Sequence, residues 1–297
     1  MRILPLLLVV ITAVACKKKQ EPAPRETPTT GSGAAVQTKS HDAIARADFN
    51  RLAVRLNLPV YWIADANNNK LLDADEVAPL LFYGSEAKWT DNGKLTPAFE
   101  AAYDQIVAAS KEPPLDTSSE DGKRRALVRQ DLEAGRPTLV RSDFSTLSGD
   151  DKVFVKRMLG VADLIDDLYE TTKGVKAVAA KLPADPESHS LFRRNRGATC
   201  EGPVSSKDPA CSALAGAPKV PVDIYPAELQ AKDTFCKDLQ ARKDGATLMG
   251  HFNVVRGGGD ALTAVAYTDA YKDKMTAIGS ALTEAANGIK DPKEQPH

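Results

Sequence analysis

Side-chain oxygens are concentrated in one short stretch, residues 65–76, where Asp65, Asn67 and Asn69 alternate and Asp73 and Glu76 follow. Carboxylate and amide oxygens are hard donors, and a hard cation such as calcium gathers about six to eight of them around one point. No comparable arrangement exists for covalent or acid–base chemistry. The four histidines, His41, His189, His251 and His297, are scattered; none forms His-Glu-x-x-His, and no serine lies in Gly-x-Ser-x-Gly. His251, between Gly250 and Phe252, reads as a partly buried hydrogen-bonding residue on a short strand, and Asp150-Asp151 and Asp166-Asp167 read as helix-surface acids. Gly257-Gly258-Gly259 lacks the spacing and the following Lys-Ser/Thr of a phosphate loop, so it reads as a turn. No catalytic residue is assigned, and the sequence leans away from an enzyme.

Residues 65–76 resemble an EF-hand calcium loop, and the resemblance assigns the ligands. Asp65, Asn67 and Asn69 take positions one, three and five, and Leu71 at seven offers its backbone carbonyl. Asp73 at nine acts directly or through water, and Glu76 at twelve closes the sphere with both oxygens. Leu72 at position eight is expected to pack against a partner loop. Position six, glycine in the family, is Lys70 here, and a left-handed backbone at a non-glycine residue costs roughly 1–2 kcal/mol. Pro59, ahead of the loop, breaks or kinks the incoming helix. Two other readings stay open: a degenerate loop that keeps the fold without the ion, and an Asn/Asp-rich turn between two helices. EF-hands come in pairs, and the nearest second candidate, residues 89–96, has Asp91, Asn92 and Gly93 but no well-placed closing carboxylate. It is expected as a partner without metal, and calcium in the first loop as structural rather than signalling.

The chain opens with Arg2 and an apolar run over residues 3–15 broken only by Pro5 and Thr12. As a helix that run rises about 20 Å, short of a hydrocarbon core about 30 Å thick, so residues 1–15 read as a signal peptide. Ala13-Val14-Ala15-Cys16 resembles the lipobox of bacterial lipoproteins, with Ala13 in place of the usual leucine. The resemblance implies diacylglycerol on the Cys16 thiol, usually with a third acyl chain on its amine. At about 0.8 kcal/mol per buried methylene, two or more chains anchor stably. It also implies the bacterial cell envelope, at the outer membrane or periplasmic face. An ordinary secretory signal followed by a free cysteine is the alternative. Residues 16–40 begin with Lys17, Lys18 and Lys19, continue with Pro, Thr, Gly and Ser, and read as a lipidated disordered tether.

Cleavage removes Arg2 from the 39 basic residues and none of the 40 acidic ones, leaving a formal charge of −2, which argues against a nucleic-acid partner. Cys200 and Cys211 flank a Gly-, Pro- and Ser-rich segment and are expected to pair in an oxidising compartment. Cys236 is then buried and free, unless it replaces one of them. Metal thiolates are disfavoured, because ten residues intervene and no histidine lies within ten positions.

The elements that must position these residues read as mostly helical. Apolar periodicity predicts helices over 42–56, 97–109 with Thr96 as cap and Pro97 in the first turn, 148–171, 228–241 and 267–286, and a short one over 75–83. In 148–171, Ser148 and Asp151 form a capping box, and Phe154, Met158, Val161, Ile165 and Leu168 mark the buried face. In 267–286 the buried set is Tyr271, Met275, Ile278, Leu282 and Ala285. Residues 111–122 read as a polar linker, and 139–141 and 249–255 as short strands. The fold class is therefore mainly α, a helical body with few short strands. Its parts are a helical region over 41–110 that holds the loop, a mainly helical domain over 123–288, and a disordered tail over 289–297.

Residues 143–148 (Asp143-Phe144-Ser145-Thr146-Leu147-Ser148), the run Ala162-Asp163-Leu164-Ile165-Asp166-Asp167-Leu168-Tyr169, and Ala264-Val265-Ala266-Tyr267 resemble the non-catalytic upstream half of dipeptidyl peptidase III-like bacterial proteins. The resemblance covers about 140–288. Those peptidases carry zinc-binding histidines and glutamates in a later region that has no counterpart motif here, so no catalytic residue transfers. Two readings follow. One is a lipid-anchored, non-enzymatic binding or structural module whose partner is an unidentified envelope protein or peptide. The other is a catalytically incomplete peptidase relative that binds peptides, in a cleft lined by Tyr169, Tyr225 or Tyr267.

Overall fold

Short polar side chains set the helix starts. Thr96 accepts the Phe99 amide at 3.3 Å, Ser119 that of Gly122 at 3.0 Å, Ser148 that of Asp151 at 3.1 Å, and Asp185 that of Ser188 at 2.9 Å. Each satisfies one of the amides that a helix leaves unpaired at its first turn. At Ser148 the box is reciprocal, with the Ser148 amide donating to Asp151 Oδ2 at 3.2 Å. The structure, a computed structural model, describes residues 39–81 and 87–290. The expected signal peptide, Cys16, the tether before residue 39 and the tail after residue 290 lie outside the described residues.

The described chain is mainly helical with a few short strands. In order it runs α1 (Arg46–Arg55), β1 (Val60–Trp62), β2 (Val77–Pro79), β3 (Thr90–Asp91), β4 (Lys94–Leu95), α2 (Pro97–Ser110), α3 (Glu120–Glu133) and α4 (Gly149–Thr172). Then come α5 (Lys176–Ala179), α6 (Pro186–Asn195), α7 (Ala227–Gln230), α8 (Phe235–Gln240), α9 (Gly245–Leu248), β5 (Asn253–Gly258), β6 (Ala261–Ala266), α10 (Tyr267–Ala270) and α11 (Lys272–Asn287). The strands pair as three antiparallel ladders among the described residues, β1 with β2, β3 with β4 and β5 with β6.

Four apolar clusters organise the body. Phe49 and Leu52 of α1, Trp62 of β1, Leu72, and Phe99, Tyr103 and Ile106 of α2 form the first. Val128 and Leu132 of α3 meet Leu191 and the Cys200 and Cys211 sulfurs in the second. Val161 and Leu168 of α4 meet Val254, Tyr271 and Ile278 in the third, and Leu239, Leu248, Val255 and Leu262 form the fourth.

Several expectations are corrected. The short helix expected over 75–83 is absent from its described part, residues 75–81: a single 3-10 turn over Ala74–Glu76 leads into β2, with Val77 opposite Trp62 and Pro79 opposite Val60. Pro79 blocks helix continuation and, lacking an amide hydrogen, fits a strand end. The linker expected over 111–122 stops at Ser119, which caps α3 at Glu120. Residues 139–141 form no strand, and the strand expected at 249 starts at Asn253, which leaves His251 exposed in the preceding turn. The helix over 228–241 divides into α7 and α8, and the one over 267–286 breaks at Tyr271. On α4, Ile165 is 49% exposed, and on α11, Leu282 is 42% exposed, because the seam between these helices is narrower than their apolar stripes. Gly257 and Gly259 have positive φ in the β5–β6 hairpin, as a turn requires. Cys236 is free but exposed rather than buried.

Candidate functional site

Residues 65–76 join β1 to β2, so the candidate site is a strand–loop–strand unit rather than a turn between two helices. α1 ends at Arg55, and Asn57 takes a left-handed backbone (φ 57°) before Pro59 starts the approach to β1. The loop then builds its own scaffold. Asn67 Oδ1 accepts the Asn69 amide at 3.0 Å, and Asn69 Oδ1 accepts the Leu71 amide at 2.7 Å. These are Asx turns, the local bonding for which Asn is favoured in tight loops. Asn68 and Lys70 both have positive φ, 57° and 61°. Lys70 thus occupies the left-handed conformation that a glycine would take without strain.

Asp65 and Glu76 close the loop from its two ends. Asp65 Oδ2 accepts the Lys70 amide at 3.2 Å, while Asp65 Oδ1 is buried with no hydrogen-bond partner. Glu76 is only 3% exposed. Its Oε1 accepts the Ala66 amide at 2.6 Å, and its Oε2 accepts the Trp62 indole N–H at 3.0 Å and the Asp73 amide at 3.4 Å. Asp73 Oδ2 accepts Asn67 Nδ2 and Asn69 Nδ2, each at 2.8 Å. Asn67, Asn69 and Asp73 are therefore brought together directly, whereas Asp65 and Glu76 are turned toward backbone amides. Among the described residues no three Asp, Glu, His or Cys side chains gather as a metal cluster. A cation here would rely on amide and carbonyl oxygens as well as carboxylates, which suits calcium.

Leu72 anchors the loop in the first core cluster, at 1% exposure, and its amide donates to the His41 carbonyl at 3.1 Å. The same cluster takes Trp89 and, at its edge, Leu95 from the β3–β4 hairpin. That hairpin turns through Asn92 (φ 48°) and Gly93 (φ 74°), the residue types that a two-residue turn with two positive φ angles prefers. His41 is buried beside Leu72, with Nε2 3.0 Å from Glu100 Oε1 and its ring edge-on to Tyr103.

Cys200 and Cys211 form the expected disulfide, with Cα atoms 5.5 Å apart. The tyrosines proposed to line a peptide cleft are apart in role: Tyr225 packs edge-on to Phe235 and lines a cavity of about 330 Å³, Tyr267 packs on Tyr271, and Tyr169 is 44% exposed on α4.

Sequence reasoning missed a buried charge network on α3 and α6. Arg124 reaches Asp121, Asp185, Ser188 Oγ and the Ser212 carbonyl. Glu187, fully buried, receives Arg125 Nη2 at 2.8 Å and Arg129 Nε at 3.0 Å on one oxygen. Burial pushes the Asp185 carboxyl up, but the Ser188 donors and Arg124 outweigh it and hold it below the usual range. The i, i+4 pair Arg125 and Arg129 was the available signal. Neither protein-family models, nor curated proteins, nor solved structures match this chain.

Proposed function

We propose that the chain is a lipid-anchored envelope protein, held by acylated Cys16, whose body is a non-enzymatic binding or structural module braced by calcium in residues 65–76. The observation that carries the calcium assignment is Asp65 Oδ1, a buried carboxylate oxygen with no donor in a loop where every other side-chain oxygen described above has one. An orphaned buried acceptor costs roughly 1–3 kcal/mol, and a cation at that oxygen would relieve the cost. The Asn67 and Asn69 oxygens each keep a second lone pair beyond the one given to a backbone amide, so ligation need not break the Asx turns. Asp65, Asn67, Asn69, Asp73 and Glu76, with the Leu71 carbonyl, would hold the ion. Calcium would contribute charge compensation and rigidity, not chemistry.

The non-enzymatic reading is supported by the use of the buried charges. Arg124 and one oxygen of Glu187 are engaged in ion pairs between helices, while Glu187 Oε2 is buried without a hydrogen-bond partner. The half-exposed apolar side chains Ile165, Tyr169 and Leu282 suit a module that meets a partner.

Calorimetric titration of calcium into the chelator-stripped full chain in detergent tests the site. One saturable event with a dissociation constant on the order of 10⁻⁴–10⁻³ M is expected, lost in Asp65→Ala. No saturable heat would overturn it. For the anchor, mass spectrometry of the native amino terminus should find acylated Cys16, and an intact Met1 in envelope protein would end that part of the reading.

A further inference from the structure

Two cavities adjoin at Glu133, beside α1 and α3. One, about 740 Å³, is lined by Arg55, Arg129 and Glu112 with Pro113, Pro114 and Leu115. The other, about 570 Å³, is lined by Arg46, Arg51 and Arg136 with Tyr61 and Pro137. Together they present five guanidiniums against the carboxylates of Asp48, Glu112 and Glu133, with the buried Glu187 behind Arg129, an excess of one positive charge on a chain whose formal charge is −1.

The protein's own carboxylates mark how an anion sits there. Glu133 Oε1 lies 2.9 Å from Arg51 Nη1 and 3.8 Å from Arg55 Nη1. Glu112 Oε2 lies 3.1 Å from Arg55 Nη2 and 3.4 Å from Arg129 Nη1, and Glu112 is carried on the Pro-rich segment after α2, where its side chain is 44% exposed. Among the described residues Arg46 donates to the Ile63 carbonyl alone, at 3.2 Å, the Arg136 side chain makes no hydrogen bond, and neither has a carboxylate partner. Burial, then the neighbouring Arg129 guanidinium, hold Arg55 below the usual arginine range, so the two cations are in tension that Glu112, Glu133 and Glu187 only offset. Guanidinium forks match carboxylates geometrically, and the proline, leucine and tyrosine flanks offer apolar surface to the chain between them.

We propose that this trough binds an extended acidic peptide, whose carboxylates engage Arg46 and Arg136 and compete with Glu112 for Arg55 and Arg129. The inference deepens the binding-module reading by naming its partner's chemistry, and it does not depend on the lipid or on calcium.

Fluorescence anisotropy of a labelled octaglutamate peptide with the full chain in detergent and chelator tests it. Saturable binding that weakens with salt is expected, with no binding of octalysine. Arg46→Ala/Arg136→Ala should weaken octaglutamate about tenfold or more, and Glu112→Gln should tighten it. Arg136→Glu alone keeps the fold intact, since that side chain holds nothing in place, and should also weaken binding. Absence of saturation at about 1 mM protein, or equal binding by the Arg46/Arg136 variant, overturns the proposal. Tighter binding of inorganic polyphosphate than of octaglutamate would also overturn it. Loss of calcium binding with octaglutamate binding retained would count against the loop alone.

Discussion

The Lys70 amide donates to Asp65 Oδ2 at 3.2 Å and leaves Asp65 Oδ1 as the buried oxygen that no donor reaches. The bond requires the amide of the sixth loop residue to point inward, and the positive φ of Lys70, 61°, is what points it there. Lys70→Gly should therefore keep the bond and remove the strain. The gain is the left-handed penalty less the extra chain entropy of glycine, about 0.5–1 kcal/mol. Urea unfolding should show a higher midpoint at unchanged slope; a lower midpoint would mean that the lysine side chain contributes more than its backbone costs.

Glu187 is the other residue whose removal should be felt far from the loop. Its buried carboxylate sits against Arg125 and Arg129. Glu187→Gln would leave two guanidiniums without their shared anion, at a cost of about 3–5 kcal/mol. Thermal unfolding should fall by many degrees, and a change within a degree would contradict the ion-pair account.

Tyr271 donates its hydroxyl to Asp223 Oδ2 at 2.9 Å, and Arg256 Nη2 reaches the same oxygen at 3.0 Å. Burial, then the Asp223 carboxylate, push the Tyr271 hydroxyl up to about 12. A pKa raised by folding stabilises fully below the unfolded tyrosine value, about 10, and that contribution is lost as pH rises through the folded value. The fold should therefore lose stability between about pH 10 and pH 12. Ultraviolet titration of Tyr271→Phe should show one late-ionising tyrosine fewer than the parent chain. A late step of undiminished amplitude in the variant would assign it elsewhere.

The Cys200–Cys211 bridge closes a short loop against Val128, Leu132 and Leu191. Replacing both cysteines with serine should cost about 3 kcal/mol through the freed chain and the two polar atoms placed in that cluster. Denaturant unfolding measures it directly; a loss under about 0.5 kcal/mol would mean the cluster holds without the bridge.

Sequence periodicity located α2 and α4 well, because each couples a capping side chain to a long apolar repeat: Thr96 before Phe99, Ala102, Tyr103 and Ile106, and Ser148 before Val161 and Leu168. α3 escaped because its buried face includes Arg124 and Asp131 alongside Val128 and Leu132, so burial there follows ion pairs rather than hydrophobicity. The apolar pattern also marked Ile165 and Leu282 as buried, since periodicity gives a stripe's direction but not the width of the helix that covers it.

The loop was legible in its side chains and misread in its flanks. Alternating Asp and Asn gave the Asx turns, yet nothing short of the pairing of Val77 with Trp62 would have replaced an expected helix with a strand. Arg46 and Arg136 lie 90 positions apart, and the trough they line exists only through tertiary packing.

Trp62 donates its indole N–H to Glu76 Oε2 at 3.0 Å, which sets an aromatic antenna beside the proposed ion. Terbium, a calcium-sized hard cation, should luminesce through tryptophan excitation when added to the chelator-stripped chain, saturate, and be displaced by calcium. Asp65→Ala should abolish the signal. Unsaturable emission that calcium does not displace, or full emission from Asp65→Ala, would contradict a calcium-braced loop.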